Sequence, residues 1–370
     1  MNRAENKPRV LLITSRADYG GGPEYVYRLI ASLNGKVDFF CACPEDIPYW
    51  NKYRDIIESE RMIKIPHRKF DLNSFLKLIK FAKHNKITLL HSHGKGAGVY
   101  SRPASLISSI KCLHTFHGLH TGEYGKMSKL FYLMLEKVFS LLSGGLIAVS
   151  ESEKEALMKN GIAPESKITV IQNGVNTGTE HFASPDFAGR LNVITVTRFD
   201  YAKNPELMLD IIDRLNRKEK AGRFNFVFVG DGEGRKQTET KVAETGLAKY
   251  VTFAGFTDDV SSYYLNAFCY LSTSRWEGMP LSVLEAMSYG VPVIATDVTG
   301  NRDVVLHGRT GYLFNPDDPE AAAELLLRLA DDPASWKNFS EAASAHCRQN
   351  FSFERTAANN LNLYNKILDN

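Results

Sequence analysis

The sequence is short of several features that would narrow its role at once. It has no long unbroken apolar run. The nearest, Leu130 to Ile147, is interrupted by Glu136, Lys137 and the Gly144-Gly145 pair, whereas a bilayer-crossing helix needs about 20 apolar residues in succession. Cysteine is sparse: Cys41, Cys43, Cys112, Cys269 and Cys347 are scattered and mostly set in apolar runs, as reduced core thiols would be. Cys41 and Cys43 are too close for an ordinary disulfide and have no second pair nearby to make a zinc site. Charge of one sign is also lacking, since 45 basic against 42 acidic residues leave +3, too little to point to nucleic acid. No two aspartates stand in D-x-D spacing to hold a divalent metal. No secretory leader is visible, because MNRAENKPRV runs directly into a strand. We therefore expect a cytoplasmic protein, soluble or peripheral on the inner face of the plasma membrane.

What is present is a strict alternation. Short β-favouring runs at Val10–Thr14, Val37–Cys41, Thr88–His91, Leu113–Phe116, Leu146–Val149 and Ile168–Ile171 alternate with helical patterns from Pro23, Ala97, Met127 and Glu151. This is the grammar of a doubly wound parallel sheet. The stretch QNGVNTGTEHFASPDFAGR has no periodicity and reads as a linker. The alternation then restarts, with strands at Asn192–Val196, Phe224–Val229, Val251–Phe253, Phe268–Ser272 and Val291–Thr296, and three closing helical stretches, Pro319–Ala330, Pro333–Asn350 and Phe353–Leu368. Two Rossmann-like α/β domains follow, 1–175 and 176–352, hinged near residue 175. Gly20–Gly22, His93, His117, Arg198, Asp231 and Glu277 each fall just past a predicted strand end, where ligands of such sheets bind.

The most informative stretch is 268–305, FCYLSTSRWEGMPLSVLEAMSYGVPVIATDVTGNRDVV. It reads as strand, polar loop, helix from Leu281, turn at Gly290 and buried strand. Glu277 precedes the helix and Glu285 lies inside it. Between them the amides of Gly278, Met279, Leu281 and Ser282 form a helix N-terminus, a ready anion site. Carboxylates flanking an anion site suit hydroxyls on either side of a phosphate, in the order sugar, diphosphate, ribose.

Glu277 and Glu285, with seven residues between them, in the context EGMPLSVLEAM followed by GVPVIAT, resemble the signature of the retaining family 4 glycosyltransferases. The resemblance spans nearly the whole chain. It implies the GT-B fold, in which two Rossmann-like domains face a central cleft and the last helix, here 353–370, crosses back to the N-terminal domain. It also implies an N-terminal acceptor domain and a C-terminal nucleotide-sugar donor domain. Arg198, at a strand end, and Lys203 in RFDYAKNP can neutralise a diphosphate; the resemblance makes them the basic pair that stabilises the leaving nucleoside diphosphate. It assigns Glu277 to hydroxyls of the transferred sugar, Glu285 to the ribose, and Gly230, Asp231 and Phe256 to the neighbourhood of base and ribose. Gly21 and Gly22, in ADYGGGPEYVYRL, match the glycine loop facing the donor phosphates, and His117 in HTFHG matches the histidine near the reaction centre. Asn173-Gly174-Val175 resembles the hinge. The chemistry implied is transfer with retention from a nucleotide-sugar, UDP by default, with no metal or other cofactor. His91, His93, His114, His117 and His120 lack the spacing of a zinc site.

The acceptor is less legible. His93 and Lys95, in HGKG at another strand-to-helix turn, are candidates for meeting the phosphate of a polyprenyl-diphosphate-linked acceptor, a glycan carrier used in surface polysaccharide assembly. Lys77, Lys80 and Lys83, and Lys126, Lys129 and Lys137, lie beside apolar helical positions. They form either a face for an anionic membrane or an ordinary solvated flank. Two other functions stay open: a sugar-nucleotide epimerase, which would need no acceptor, and a non-catalytic sugar-nucleotide or glycan-binding protein.

Overall fold

The structure, a computed structural model, describes residues 7–119, 122 and 124–369. The chain forms two compact units, Met1–Asn173 with Phe353–Asn370, and Gly174–Ser352.

In the first unit, strands β1 (Arg9–Thr14), β2 (Asp38–Cys43), β3 (Met62–Lys64), β4 (Leu89–His93), β5 (Lys111–Thr115), β6 (Gly145–Ala148) and β7 (Ile168–Val170) alternate with helices. Those helices are α1 (Gly21–Leu33), α2 (Tyr49–Arg54), α3 (Leu72–His84), α4 (Lys95–Ser108), α5 (Lys126–Leu141) and α6 (Glu151–Lys159). The strands pair in parallel in the order β3-β2-β1-β4-β5-β6-β7. Helices cover both faces, so the interior strand β1 is apolar through Val10 to Ile13, all fully buried.

The second unit repeats the scheme with β8 (Leu191–Val196), α7 (Pro205–Arg217), β9 (Phe224–Val229), α8 (Arg235–Glu244), β10 (Val251–Gly255), α9 (Ser261–Leu265) and β11 (Cys269–Ser272). It continues through α10 (Leu281–Ser288), β12 (Val293–Thr296), α11 (Asn301–Val304), β13 (Gly311–Phe314), α12 (Pro319–Asp331) and α13 (Pro333–Asn350). Its six parallel strands run β10-β9-β8-β11-β12-β13. The last helix, α14 (Phe353–Asp369), belongs to the first unit, where Phe353, Ala357, Tyr364 and Ile367 join Tyr25, Val26 and Leu29 of α1 in one core cluster.

Local chemistry explains the boundaries. Asp71, Ser150, Asp318 and Asp332 cap α3, α6, α12 and α13 by accepting from a backbone N–H three residues on. Prolines open α7, α12 and α13. Gly290, at φ +71, follows the C-cap of α10. The short strands β3 and β13 add to those expected from the sequence. The strand predicted at Thr88–His91 runs on to His93, and the first helix begins at Gly21 rather than Pro23. All five cysteines are buried free thiols.

One buried ion pair joins α4 to α5. Arg102 and Glu136 have side chains 0% and 2% exposed, with Nη1 2.6 Å from Oε2. Arg102 Nε donates to the Gly98 carbonyl at 3.1 Å, and its guanidinium lies 4.7 Å from the Phe139 ring centre. A Cβ at position 98 would overlap that guanidinium. Arg102→Met should therefore cost about 3–5 kcal/mol by stranding a buried carboxylate. The double variant Arg102→Met/Glu136→Leu should lose far less. Urea unfolding of both variants checks this, and equal losses would count against it.

Candidate active site

In an open parallel sheet, a crevice forms where strand order reverses. In the second unit that point lies between β8 and β11, and the loops leaving these strands are sewn together. Buried Thr273 donates its hydroxyl to the carbonyls of Lys203 and Asn204, at 3.1 and 3.0 Å. Arg275 reaches back through its backbone N–H to Ala202, and through its guanidinium to the Tyr201 carbonyl and Asn204 Oδ1. This places Lys203 Nζ 2.6 Å from Glu277 Oε1, the oxygen that also accepts from Ser274 Oγ at 2.6 Å. Arg198 is held likewise, with Nε and Nη2 at 2.8 and 2.6 Å from Asp200 Oδ2. Asp200 also accepts from the Lys203 backbone N–H. Each cation already leans on a carboxylate, and the four charges balance. Their donors are not exhausted, because an ammonium has three N–H groups and a guanidinium five.

Behind Glu277 begins α10. Pro280 is its N-cap rather than its first helical residue, and no side chain caps it. Glu285 lies in this helix with Tyr264 Oη 3.4 Å from Oε2, while Tyr270 Oη is 2.8 Å from Ser282 Oγ. Burial, before any neighbouring charge, pushes both phenols upward, so they remain neutral donors. In α10 the side chains of Leu284, Met287 and Ser288 are buried, and Leu281 is half-buried.

The glycines of the second unit admit neighbouring main chain. Gly230 and Gly232 adopt φ +135 and +153. A Cβ at Gly232 would stand 2.7 Å from Phe199 N, and one at Gly230 would overlap the Thr197 carbonyl. They admit the backbone that carries Arg198, held by Phe199 N–H to Asp231 O and Gly234 N–H to Phe199 O at 3.1 and 2.9 Å. The Asp231 carboxylate accepts from Gly232 N–H at 2.8 Å, and Phe256 is 40% exposed after β10. Gly300, at φ +85, was missed: a Cβ there would lie 2.7 Å from Glu277 Cβ and 2.8 Å from Gly278 O. The signal for it was a glycine just past the strand VPVIAT.

In the first unit the reversal lies between β1 and β4. Gly21 and Gly22 open α1 as helical residues, and a Cβ at Gly22 would meet nothing within 4 Å. His93 is the buried last residue of β4, not a loop residue. Its Nδ1 lies 3.1 Å from His117 Nε2, with the rings stacked at 5.4 Å. His117 itself has φ +59, followed by Gly118 at +109. That turn is pinned by fully buried Glu153, which accepts from Gly118 N–H and, at 2.6 Å, from Val149 N–H. His91 lies between Tyr364 Oη, 2.7 Å from Nδ1, and Thr115 Oγ1, 2.8 Å from Nε2. Glu153, Tyr364 and Asp200 carry no sequence signal, since their partners are distant in the chain or set by loop geometry. Exposed Lys95 projects over the rings of Tyr124 and Tyr132, 4.3 and 4.4 Å from their centres.

His120 lies outside the described residues. Among those described, Asp18, Asp46 and His67 are the group close enough to hold a metal ion. They are already engaged, Asp18 by Arg16 and Asp46 by His67 and the Ala17 N–H.

Comparison with known proteins bears on both units. The family Glycosyltransferase Family 4 matches residues 19–179, and the family Glycosyl transferases group 1 matches 177–346. An Escherichia coli protein, UDP-Gal:alpha-D-GlcNAc-diphosphoundecaprenol alpha-1,3-galactosyltransferase, is 28% identical over 277 residues, 71% of each chain. The O-antigen biosynthesis glycosyltransferase WbnH of Escherichia coli is 26% identical over 90% of this chain and 92% of its own. The crystal structure of Anabaena HepE in complex with UDP and glucose superposes with a TM-score of 0.82 at 18% identity, covering 96% of this chain and 98% of that one, a likeness of fold.

The histidine cluster yields a pH prediction. Burial holds the His91 imidazole down to about 3, and burial followed by neighbouring charged groups holds His93 and His114 well below their usual value of 6.5. The unfolded chain then binds protons near pH 6.5 that the native state refuses. The stability these neutral rings carry is present above that value and lost as pH falls toward the folded values. Unfolding free energy should drop between pH 7 and 5, at up to about 1.4 kcal/mol per pH unit for each ring. Replacing His114 by Asn should flatten the slope; an unchanged slope in denaturant titrations would contradict the assignment.

Proposed function

From the premise that the chain belongs to the family 4 glycosyltransferases with the GT-B fold, we propose that it moves a sugar from a UDP-sugar to a hydroxyl of a glycan on a lipid-diphosphate carrier, with retention and without a metal. The product would enter surface polysaccharide assembly. The donor and acceptor classes are those in the name of the E. coli galactosyltransferase; HepE was crystallised with UDP and glucose. Association with an anionic membrane face goes with such a carrier.

The observation that carries the reading is the meeting of Lys203 with Glu277 beside the uncapped start of α10, with Arg198 held in the adjoining loop. The remaining N–H groups of the two cations and the amides of Leu281 and Ser282 would receive the diphosphate as charge builds on it. Donors already in place there need no reorganisation when the bond breaks. Glu277, ion-paired and hydrogen-bonded through Oε1, keeps Oε2 for a sugar hydroxyl, which makes it a positioning group rather than a base. Glu285 takes the ribose hydroxyls. The anomeric C–O(phosphate) bond breaks, the acceptor oxygen bonds to the same face, and its proton passes to the departing phosphate. In the first unit, His117 takes the sugar-contacting role of the family's histidine, with His93 behind it.

Arg198→Ala and Lys203→Ala should each lower kcat at least 100-fold, the usual loss for a donor aimed at developing charge, while thermal unfolding stays near wild type. Glu285→Gln should mainly raise the donor KM. EDTA should leave the rate unchanged, and NMR of the product should show the donor's anomeric configuration. Wild-type kinetics in Lys203→Ala would sink the reading. So would product formation from the donor alone, which would mark an epimerase.

A further inference from the structure

Helices on a parallel sheet normally turn their apolar side inward. Helix α5 does the reverse. Its buried residues are Tyr132, Glu136 and Ser140, four apart, whereas Met127, Leu130, Phe131, Met134, Val138 and Leu141 are 78%, 63%, 62%, 56%, 51% and 75% exposed. These six recur at three- and four-residue spacing and form one stripe on the side opposite the buried seam. The inversion is built in, because Glu136 is neutralised inside by Arg102, and Ser140 Oγ bonds to the carbonyls of Lys137 and Ile162, each at 2.7 Å.

The exposed charges on α3, α4 and α5 are of one sign. Lys126 and Lys137 are exposed on the flank of the stripe, and Lys129, also exposed, heads the row of the buried seam. Helix α4 packs on α5 and α3 on α4. Across residues 72–84, 95–108 and 126–141 the sole carboxylate is the buried Glu136, against the exposed lysines 77, 80, 83 and 95 and those of α5. A second copy docking stripe to stripe would bring lysine to lysine with no carboxylate on these three helices to receive it. An anionic bilayer offers what the surface lacks, acyl chains for the stripe and phosphates for the ammonium groups.

We infer that α5 is a docking helix that lies in the interface of an anionic membrane, with the stripe of Leu130 and Phe131 inserted and Lys126 and Lys137 on lipid phosphates. This deepens the proposed use of a lipid-linked acceptor, but its test needs no turnover. The full chain, without donor or acceptor, is floated at low salt with vesicles of phosphatidylglycerol and phosphatidylethanolamine, and separately with phosphatidylcholine. Binding should favour the anionic vesicles and fall with salt. Lys126→Gln/Lys137→Gln should weaken it about 25-fold, roughly a factor of five for each lysine near such a surface. Leu130→Ser/Phe131→Ser should abolish it at either salt, with an unchanged melting temperature in both variants. Both should keep wild-type turnover of a short, water-soluble acceptor; failure of that reaction in the wild-type chain would count against the proposed reaction and leave the vesicle result standing. Equal binding to phosphatidylcholine, or wild-type vesicle binding by the serine variant, would overturn the inference. So would a dimer in sedimentation that dissociates in that variant, which would show a second copy on the stripe.

Discussion

Backbone lying directly on backbone is the constraint on which the site of the second unit depends. Gly230 and Gly232 exist so that the Thr197–Phe199 segment can rest against the turn after β9, and Gly300 exists so that Glu277 and Gly278 can rest against the start of α11. Any larger residue would need both a disfavoured positive φ and displaced main chain. Two loops from non-adjacent stretches of sequence are thereby fixed on either side of the strand reversal, and Thr273 and Arg275 join them. Only on this platform do Lys203 and Glu277 come within 2.6 Å. The glycines therefore matter through what they hold rather than through what they touch.

The first unit reaches a comparable rigidity by other means. Several of its buried polar groups are paired between elements: Asn360 and Tyr364 of α14 bond Tyr25 and His91, at 2.7 Å each, and Glu153 holds the turn that carries His117. A buried polar network of this kind is stabilising only when nearly complete, since each unpaired member costs its full desolvation. This explains why α14 belongs to this unit although it follows the second in sequence. Without Tyr364 and Asn360, the imidazole of His91 and the phenol of Tyr25 would lose buried partners.

Much of this was legible in the sequence, for a physical reason. Alternating short apolar runs and helical periods announce parallel sheets, and residues just beyond strand ends are where ligands bind. Arg198, Asp231, Glu277 and His117 could therefore be picked out from position, whereas Lys203 was marked by the resemblance. What the pattern cannot carry is pairing. Nothing in RFDYAKNP says that Lys203 turns to Glu277 while Arg198 turns to Asp200, because that depends on loops 74 residues apart meeting. Nor does spacing distinguish a glycine that admits a ligand from one that admits a neighbouring loop. His93 was misplaced by a strand end drawn two residues early, the usual margin for such boundaries.

Polarity at α5 shows a further limit of reading pattern as fold. An amphipathic period fixes that a helix has two faces but not which one meets the sheet. In α5 the choice is settled by Arg102, whose burial on α4 demands a carboxylate opposite and so draws Glu136 inward. A buried pair of this kind adds little net stability over an apolar substitute of similar size. Its presence is better understood as fixing orientation: with Glu136 committed inward, Leu130, Phe131 and Met134 have no course but outward. The same ion pair that would be a modest contributor to stability thus decides which chemistry the surface presents.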